Sequence, residues 1–192
     1  MRGLLEAPDP ELERLYTCEL GLETVPEWYG SLAALRTLDL GHNALRAVPD
    51  LSALTRLEIL YLHDNALTAL PSLPPSLTYL NVSENPLPAL PALDLPELIE
   101  LRALDLGLTA VPELRLPKLR ELHLRTNALT AVPETVRGLH ELRLLDLRAN
   151  RLTSVPDWIG ELPRLEKLDL RWNQVYDPPA ELLARGCVVL TE

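Results

Sequence analysis

The sequence contains no phenylalanine, and aromatic residues make up only 4% of its 192 positions. Hydrophobic residues nevertheless reach 47%, and leucine is by far the commonest of them. Protein cores are close-packed, so one mid-sized side chain repeated many times suits a narrow stack of identical slots. Large aromatic rings would not fit such a stack. The composition therefore favours a repetitive core over that of an ordinary globular domain.

Long apolar runs and catalytic signatures are also missing. No stretch of 18 apolar residues occurs, and the N-terminal segment MRGLLEAPDPEL lacks the apolar region of a signal peptide. There is no Gly-rich phosphate loop, nucleophile elbow, HExxH or CxxC motif. We therefore expect a cytoplasmic, non-enzymatic protein with no membrane association, no cofactor and no metal.

Charge is unevenly distributed along the chain, which has a net charge of −10. Residues 1–100 carry 5 basic and 15 acidic side chains, whereas residues 101–192 carry 13 of each. A negative chain repels phosphate backbones, so we predict no nucleic-acid partner. The acidic first half is either a solvated surface or a face for a basic partner.

One sequence motif recurs along the chain: L-x-x-L-x-L, then usually asparagine and leucine, then Val-Pro or Leu-Pro. Successive copies begin 23, 22, 20, 21, 21, 23 and 23 residues apart. The first leucines of the copies are Leu12, Leu35, Leu57, Leu77, Leu98, Leu119, Leu142 and Leu165. This period is typical of a solenoid with one strand and one return segment per turn. At about 4.8 Å per strand, Cys18 and Cys187 would lie over roughly 30 Å apart, beyond disulfide reach.

Each part of the repeat motif has a structural reason. Alternate leucines share the buried face of a short strand, and the residues between them point into solvent on the concave side. The asparagine can satisfy backbone groups where the chain leaves the strand. We predict a ladder of Asn43, Asn65, Asn85, Asn127, Asn150 and Asn173. A proline at the same position of each repeat makes the return segment extended, with room for no more than a short 3₁₀ turn. We expect Trp28 and Trp158 to cover the convex edge of the longer repeats.

Two copies, CELGLETVP and LDLGLTAVP, depart from the repeat motif. We align Thr17 and Ala103 in leucine slots and Leu20 and Leu106 in place of asparagine, so the ladder breaks near residue 106. The competing alignment is a three-residue deletion. We predict a single domain with a partial N-terminal cap (1–11), repeats (12–177) and a C-terminal cap (178–192). In the C-terminal cap, Pro178-Pro179 opens a short helix, Gly186 ends it, and residues 187–190 form an edge strand.

The 23-residue copies, such as AVPETVRGLHEL and SVPDWIGELPRL, resemble the intracellular leucine-rich repeats of Ras-binding scaffolds. The 20–21-residue copies, such as LPSLPPSLTYLNVSENPLPALP, resemble the LPX-type leucine-rich repeats of bacterial effectors. The resemblance implies a horseshoe-shaped solenoid, α/β or mostly β, with about eight short parallel strands and an extended or 3₁₀ convex side. It implies protein binding, with a small GTPase or another signalling protein as the expected partner class. The Ala/Arg/Leu-rich composition suggests a bacterial source. The alternative is a bacterial effector or the recognition part of a larger enzyme.

Two groups of residues mark the predicted concave face. His42, Tyr61, His63 and Tyr79 provide aromatic and imidazole anchors, and Arg125, Arg148 and Arg171 recur once per strand beside aspartates. The arginines fit either a salt-bridge ladder or a docking face for an acidic segment. A metal site from His42, His63 and Asp64 is conceivable, but no convergent spacing requires it. We predict that a monomer binds a protein partner through His42, Tyr61, His63, Tyr79, Arg102, His123, Arg125, Asp146, Arg148, Asp169, Arg171 and Trp172.

Overall fold

The computed structural model describes residue 9, residues 11–175, residue 177 and residues 179–191. Within this part of the chain, nine strands form one sheet whose pairs are all parallel, each strand pairing with that of the next repeat. Its strands are β1 (Arg14–Tyr16), β2 (Thr37–Asp39), β3 (Ile59–Tyr61), β4 (Tyr79–Asn81), β6 (Glu100–Arg102), β8 (Glu121–His123), β9 (Leu144–Asp146), β10 (Lys167–Asp169) and β11 (Val188–Leu190). The predicted solenoid of eight repeat strands is confirmed.

The return segments of three of the longest repeats contain 3₁₀ helices of five residues each, at Glu27–Ser31, Glu134–Gly138 and Asp157–Glu161. Each begins directly after a proline in extended conformation, as at Pro26, where φ is −61° and ψ is 149°. Proline restricts φ and removes a backbone donor, so the segment can turn only briefly before the next strand. The predicted extended and 3₁₀ convex side is confirmed for the described residues.

A second sheet was not predicted. Strands β5 (Leu93–Asp94) and β7 (Leu114–Arg115) pair in parallel within the return segments of two neighbouring repeats. Both lie in the pattern P-x-L-x-L-P, which keeps the chain extended between two prolines. Because these copies are 21 residues apart, equivalent extended segments lie side by side and form backbone hydrogen bonds. The short repeats therefore have a sheet on both sides of the core.

The core is a continuous stack of leucines. In the nine-stranded sheet, the central leucine of every strand from β2 to β10 is fully buried, with 0% exposure. Tyr29, in the first 3₁₀ helix, is also fully buried and fills the space that Val136 and Ile159 occupy in later repeats. Trp28 and Trp158 are partly buried against this core, which confirms their predicted packing role.

The asparagine ladder is confirmed. Asn150 donates from Nδ2 to the carbonyl oxygens of Leu147 in its own repeat (2.9 Å) and Leu124 in the preceding one (3.0 Å). Its Oδ1 accepts the Leu129 N–H at 3.0 Å. Because buried backbone groups need partners, each asparagine joins two turns of the solenoid.

The ladder breaks at Leu106, as predicted. The N–H groups of both Leu106 and Leu108 are bonded to the single Oδ1 of Asn127, at 3.2 and 3.0 Å. Leu101 pairs in register with Leu80 and Leu122, so the strand of this copy is residues 100–102 and not residues 103–105, as a three-residue deletion would require. The chosen alignment is correct, and Gly107, at φ +69°, absorbs the altered turn.

The C-terminal cap contains helix α1 (Ala180–Ala184) and the edge strand β11, which pairs with β10. Gly186 ends the helix in the left-handed conformation, with φ +79°. Both elements were predicted, although Pro178 lies outside the described residues. Cys187 is a buried free thiol, and burial raises its pKa. Most of the predicted N-terminal cap also lies outside the described residues.

Candidate functional site

The concave face consists of columns of side chains that cross the sheet one strand at a time. The strand register places the third residue of every repeat strand in one column, as the leucine pattern predicted. This column contains Tyr16, Asp39, Tyr61, Asn81, Arg102, His123, Asp146 and Asp169. Parallel in-register pairing therefore brings residues about 20 positions apart to within one strand spacing.

The residue before each ladder position has a left-handed backbone in all eight repeats, and it forms a rim beside the concave face. The rim residues are Glu19, His42, Asp64, Glu84, Asp105, Thr126, Ala149 and Trp172, with φ between 49° and 60°. Non-glycine residues adopt this conformation at some cost, which the neighbouring ladder bonds offset. Two predicted binding residues, His42 and Trp172, belong to this rim.

His42, Tyr61, His63 and Tyr79, which we name the aromatic–imidazole patch, form a continuous row across three repeats. The ring centroids are 4.6 Å apart between His42 and His63, 5.9 Å between His63 and Tyr61, and 4.9 Å between Tyr61 and Tyr79. The Arg102 guanidinium extends the row, 6.0 Å from the centroid of Tyr79. The structure therefore brings five of the predicted residues together.

The pKa values of the two imidazoles of this patch are shifted in opposite directions. Asp64 Oδ2 lies 2.8 Å from His42 Nδ1, and this hydrogen bond raises the pKa of His42. Burial lowers the pKa of His63, and the charge on His42 lowers it further. His42 Nε2 and His63 Nε2 are 3.2 Å apart. At this distance one of the two nitrogens donates a hydrogen bond to the other. Burial also raises the pKa of Tyr79 to about 12.

Asp146, Arg148, Asp169 and Arg171, which we name the arginine–aspartate row, form a connected set of ion pairs. Arg148 binds Asp146 with two nitrogens, at 2.9 and 2.6 Å, and its Nε lies 3.5 Å from Asp169. Arg171 binds Asp169 in the same bidentate manner, at 2.9 and 2.7 Å. The aspartates are buried and the arginines only partly so. The predicted salt-bridge ladder is therefore present for Arg148 and Arg171, mainly through bonds within one strand, with one contact between strands, from Arg148 to Asp169.

Asp146 is the centre of this row. Its burial raises the pKa of the carboxyl, but contacts with His123 and Arg148 outweigh burial and hold the pKa well below its usual range. A buried ion pair of this kind stabilises a fold only when its hydrogen bonds are complete. Asp146 is therefore ionised at neutral pH, and Arg148 is fixed by it.

Arg125 and Trp172 are the freely accessible members of the predicted set in the C-terminal half. Arg125 is exposed and forms no ion pair with any residue in the described part of the chain. Trp172 is 66% exposed, and the Arg171 guanidinium lies 5.6 Å from its ring centroid. A large apolar ring held in water beside a cation is available for contact with another molecule.

Between the two groups lies a cluster that the sequence pattern did not reveal. Glu100, Glu121 and His123, which we name the acidic–imidazole cluster, present ligand atoms within 4.8 Å of one another. Glu100 and Glu121 are direct cross-strand neighbours. A signal for the cluster exists in the sequence, because the two glutamates occupy the same position of successive repeats and the histidine follows two residues later.

The metal site conceived from His42, His63 and Asp64 does not converge on one point. Asp64 contacts Nδ1 of the His42 ring, whereas His63 contacts Nε2 on the opposite side of the same ring. Among the described residues, the acidic–imidazole cluster is the single group of three or more possible ligands with converging atoms.

No helix in the described part of the chain combines the length and hydropathy needed to cross a bilayer. Both cysteines are free.

Comparison with known sequences identifies the family. A profile described as leucine rich repeat matches residues 116–175, and one described as leucine rich repeats (2 copies) matches residues 33–75. The chain belongs to the leucine-rich repeat family, whose repeat is a scaffold used for protein interaction. No curated protein matches it.

Solved structures with the same fold include bacterial proteins. YopM, a leucine-rich effector protein from Yersinia pestis, is 30% identical, with a TM-score of 0.76 over 91% of this chain and 47% of its own. The leucine-rich repeat domain of the type III effector XCV3220 (XopL) is 27% identical, with a TM-score of 0.75 over 95% and 69%. The Leptospira interrogans LRR protein LIC12759 is 26% identical, with a TM-score of 0.67 over 94% and 55%. The chain thus spans about half the length of two of these structures.

Proposed function

We propose that this chain is a non-catalytic interaction module that binds a segment of a partner protein along its concave face, acting as a monomer. The 23-residue repeats resemble those of Ras-binding scaffolds, so a small GTPase or another signalling protein is the partner class we favour. The binding residues would be the accessible members of the aromatic–imidazole patch together with Arg102, Arg125, Arg171 and Trp172.

The observation that carries this proposal is the stacked row of Tyr61, Tyr79 and Arg102 on neighbouring strands. Tyrosine, arginine and tryptophan dominate the energetics of protein interfaces. Here they stand on a parallel sheet whose every turn is held by ladder hydrogen bonds or backbone pairing. A surface ordered before binding loses little conformational entropy when the partner arrives, so fewer contacts suffice for a given affinity.

The arginine–aspartate row supports the proposal through specificity more than through affinity. Arg148 and Arg171 are already paired with buried aspartates, so a partner carboxylate would compete with an existing bond. Arg125 has no such partner among the described residues and is the position where an acidic group would gain most.

Site-specific photo-crosslinking tests the location of the interface and captures the partner in the same step. A photoreactive phenylalanine analogue is placed at Tyr61 or Trp172, on the concave side, and at Arg56, an exposed position outside the concave columns. We expect the same partner band from both concave positions and none from Arg56. Crosslinks from Arg56 alone would refute the concave interface.

Affinity measurements with the identified partner give the second test. Arg125→Glu and Trp172→Ala change accessible side chains, so stability should move by only a few tenths of a kcal/mol, while partner affinity should fall about tenfold or more. Arg56→Glu is the matched control, because Arg56 is also exposed and has no ion pair among the described residues. Arg148→Glu is unsuitable, since it would place a third carboxylate against Asp146 and Asp169.

A second candidate is the recognition part of a bacterial effector, supported by the similarity to YopM and to the effector XopL domain. In that case the partner would belong to another organism. A reporter fused to the natural full-length protein should then enter eukaryotic cells, and only from bacteria with an intact secretion system. Retention of the reporter in the bacteria would exclude this candidate and leave the general binding role in place.

A further inference from the structure

We propose, against the expectation from the sequence alone, that the acidic–imidazole cluster of Glu100, Glu121 and His123 binds a divalent transition-metal ion such as Zn²⁺. The site adjoins the proposed partner interface and shares Arg102 with it, but metal binding is measured without the partner, so either proposal can fail without the other. The argument rests on distances, on the charges that surround one imidazole, and on the ligand types.

The distances fit a small tetrahedral ion. His123 Nε2 lies 3.3 Å from Glu121 Oε2 and 3.6 Å from Glu100 Oε1. Bonds of about 2.1 Å from Zn²⁺ to nitrogen and oxygen separate neighbouring ligand atoms by about 3.4 Å. The two distances from His123 are therefore those between neighbouring corners of such a site, and all three ligand atoms lie within 4.8 Å of one another.

His123 has a further carboxylate behind it. Asp146 Oδ2 lies 3.8 Å from Nδ1, on the opposite side of the ring from the glutamates. Histidines that bind metals commonly face a carboxylate in this way, because it orients the ring while the other nitrogen binds the ion. Three carboxylates around one imidazole make the site attractive to a cation, and a metal ion that binds Nε2 must displace any proton there.

The strand pairing adds to this need for a cation. Glu100 and Glu121 face each other directly across neighbouring strands, where like charges are destabilising. An imidazole ligand selects transition metals over Ca²⁺ and Mg²⁺, which prefer oxygen ligands alone. The side chains of His123 and Glu100 are only 14% and 21% exposed, which reduces competition from water there, whereas Glu121 is 44% exposed.

Arg102 is the present counter-charge of Glu100, to which it donates from Nε at 2.6 Å. This bond is to Glu100 Oε1, the oxygen that also faces His123 Nε2, so Arg102 competes with a metal ion for that atom. Arg102 also adds a positive charge next to the site. Replacing it should therefore strengthen metal binding, a result that a random surface site would not give.

The experiment uses tag-free, chelator-treated protein titrated with Co²⁺, whose visible absorption reports tetrahedral coordination, and with Zn²⁺ by calorimetry. We expect one ion per chain, binding weakened about tenfold or more in Glu121→Gln, and binding strengthened in Arg102→Gln. His63→Gln is the control, because it removes an imidazole from the separate aromatic–imidazole patch. Circular dichroism and melting of each metal-free variant establish that it is folded.

Four results would overturn the proposal. One is the absence of saturable binding by the wild-type protein, and another is unchanged affinity in Glu121→Gln. The third is loss of binding in His63→Gln, which would place the ion at the other imidazole pair. Unchanged or weaker binding in folded Arg102→Gln would remove Glu100 from the ligand set and so contradict the site as described.

Discussion

The imidazole of His63 lies directly over Gly41 of the preceding repeat, so that a Cβ at Gly41 would come within 2.5 Å of ring carbon Cε1. Real Cβ atoms do not approach other atoms so closely. Gly41 is thus the reason that His63 can lie against the sheet and contact His42, 3.2 Å away. The backbone of one repeat sets the side-chain conformation of the next.

Gly41→Ala should displace the His63 ring and break its contact with His42. Burial lowers the pKa of His63 in the native protein, so a ring moved into water should titrate closer to its ordinary value of 6.5. NMR titration of the imidazole protons measures this shift. Gly138→Ala is the control, because nothing lies within 4 Å of its added Cβ. An unchanged His63 titration in Gly41→Ala would show that the two residues are not coupled.

Gly30→Ala should destabilise the fold much more than Gly138→Ala, although both glycines lie in 3₁₀ helices. A Cβ at Gly30 would lie 2.3 Å from the carbonyl oxygen of Asp50, a backbone atom that cannot rotate away. Overpacking of this kind costs about 1–3 kcal/mol. Denaturant unfolding of the two variants gives the comparison. Equal denaturant midpoints for Gly30→Ala and Gly138→Ala would mean that the return segments carrying Gly30 and Asp50 can move apart at little cost.

Asn127→Ala and Asn150→Ala should each lower the free energy of unfolding by about 1–3 kcal/mol, because buried carbonyl and N–H groups lose their partners. Each side chain bonds to its own and the preceding repeat. Asn81→Ala is the matched control, since Asn81 faces the concave side and accepts one bond from the Ser83 N–H. Thermal melting distinguishes the three variants, and equal melting temperatures would contradict the ladder's role.

The two histidines of the aromatic–imidazole patch should give opposite pH dependence. His42 has a raised pKa in the folded state, so its stabilising contribution is complete below pH 6.5 and is lost as pH rises through the raised value. His63 has a lowered pKa, so its neutral form stabilises the fold above pH 6.5, and this contribution is lost as pH falls towards the lowered value.

Unfolding free energies measured between pH 5 and 8 (about the range in which histidines titrate) test this assignment. His63→Gln should flatten the acid side of the profile, and His42→Gln should flatten the alkaline side. If the two variants changed the pH profile in the same way, or if neither profile differed from that of the wild type, the pair would not titrate as assigned. His140→Gln provides a control at an exposed histidine outside the patch.

The repeat pattern predicted the strand register, the columns of the concave face and the ladder, because all three follow from one period repeated along the chain. It also predicted the break in the ladder at Leu106, because a leucine in the asparagine position is enough to reveal it. The β5–β7 pair was missed, since extended segments between prolines carry no signal for whether equivalent segments lie near enough to pair.

Side-chain partnerships could not be predicted in the same way. The column positions of Arg148 and Asp146 were predicted, but not that two nitrogens of Arg148 would bind Asp146. Glu100 was not predicted as a site residue, because its cluster joins two columns and a single column does not reveal it. Rotamers and charges of neighbouring columns decide such contacts, and these depend on the assembled sheet.

The asparagine ladder also determines how this protein can change its length over evolutionary time. Asn150 bonds to its own repeat and the preceding one, and its successor Asn173 does the same. A duplicated stretch of one whole repeat would therefore find every hydrogen bond it needs in its neighbours, while a partial insertion would shift the leucines out of register. Inheritance should favour gain and loss of complete repeats, which would move the two ends of the concave face apart or together without altering the chemistry of either.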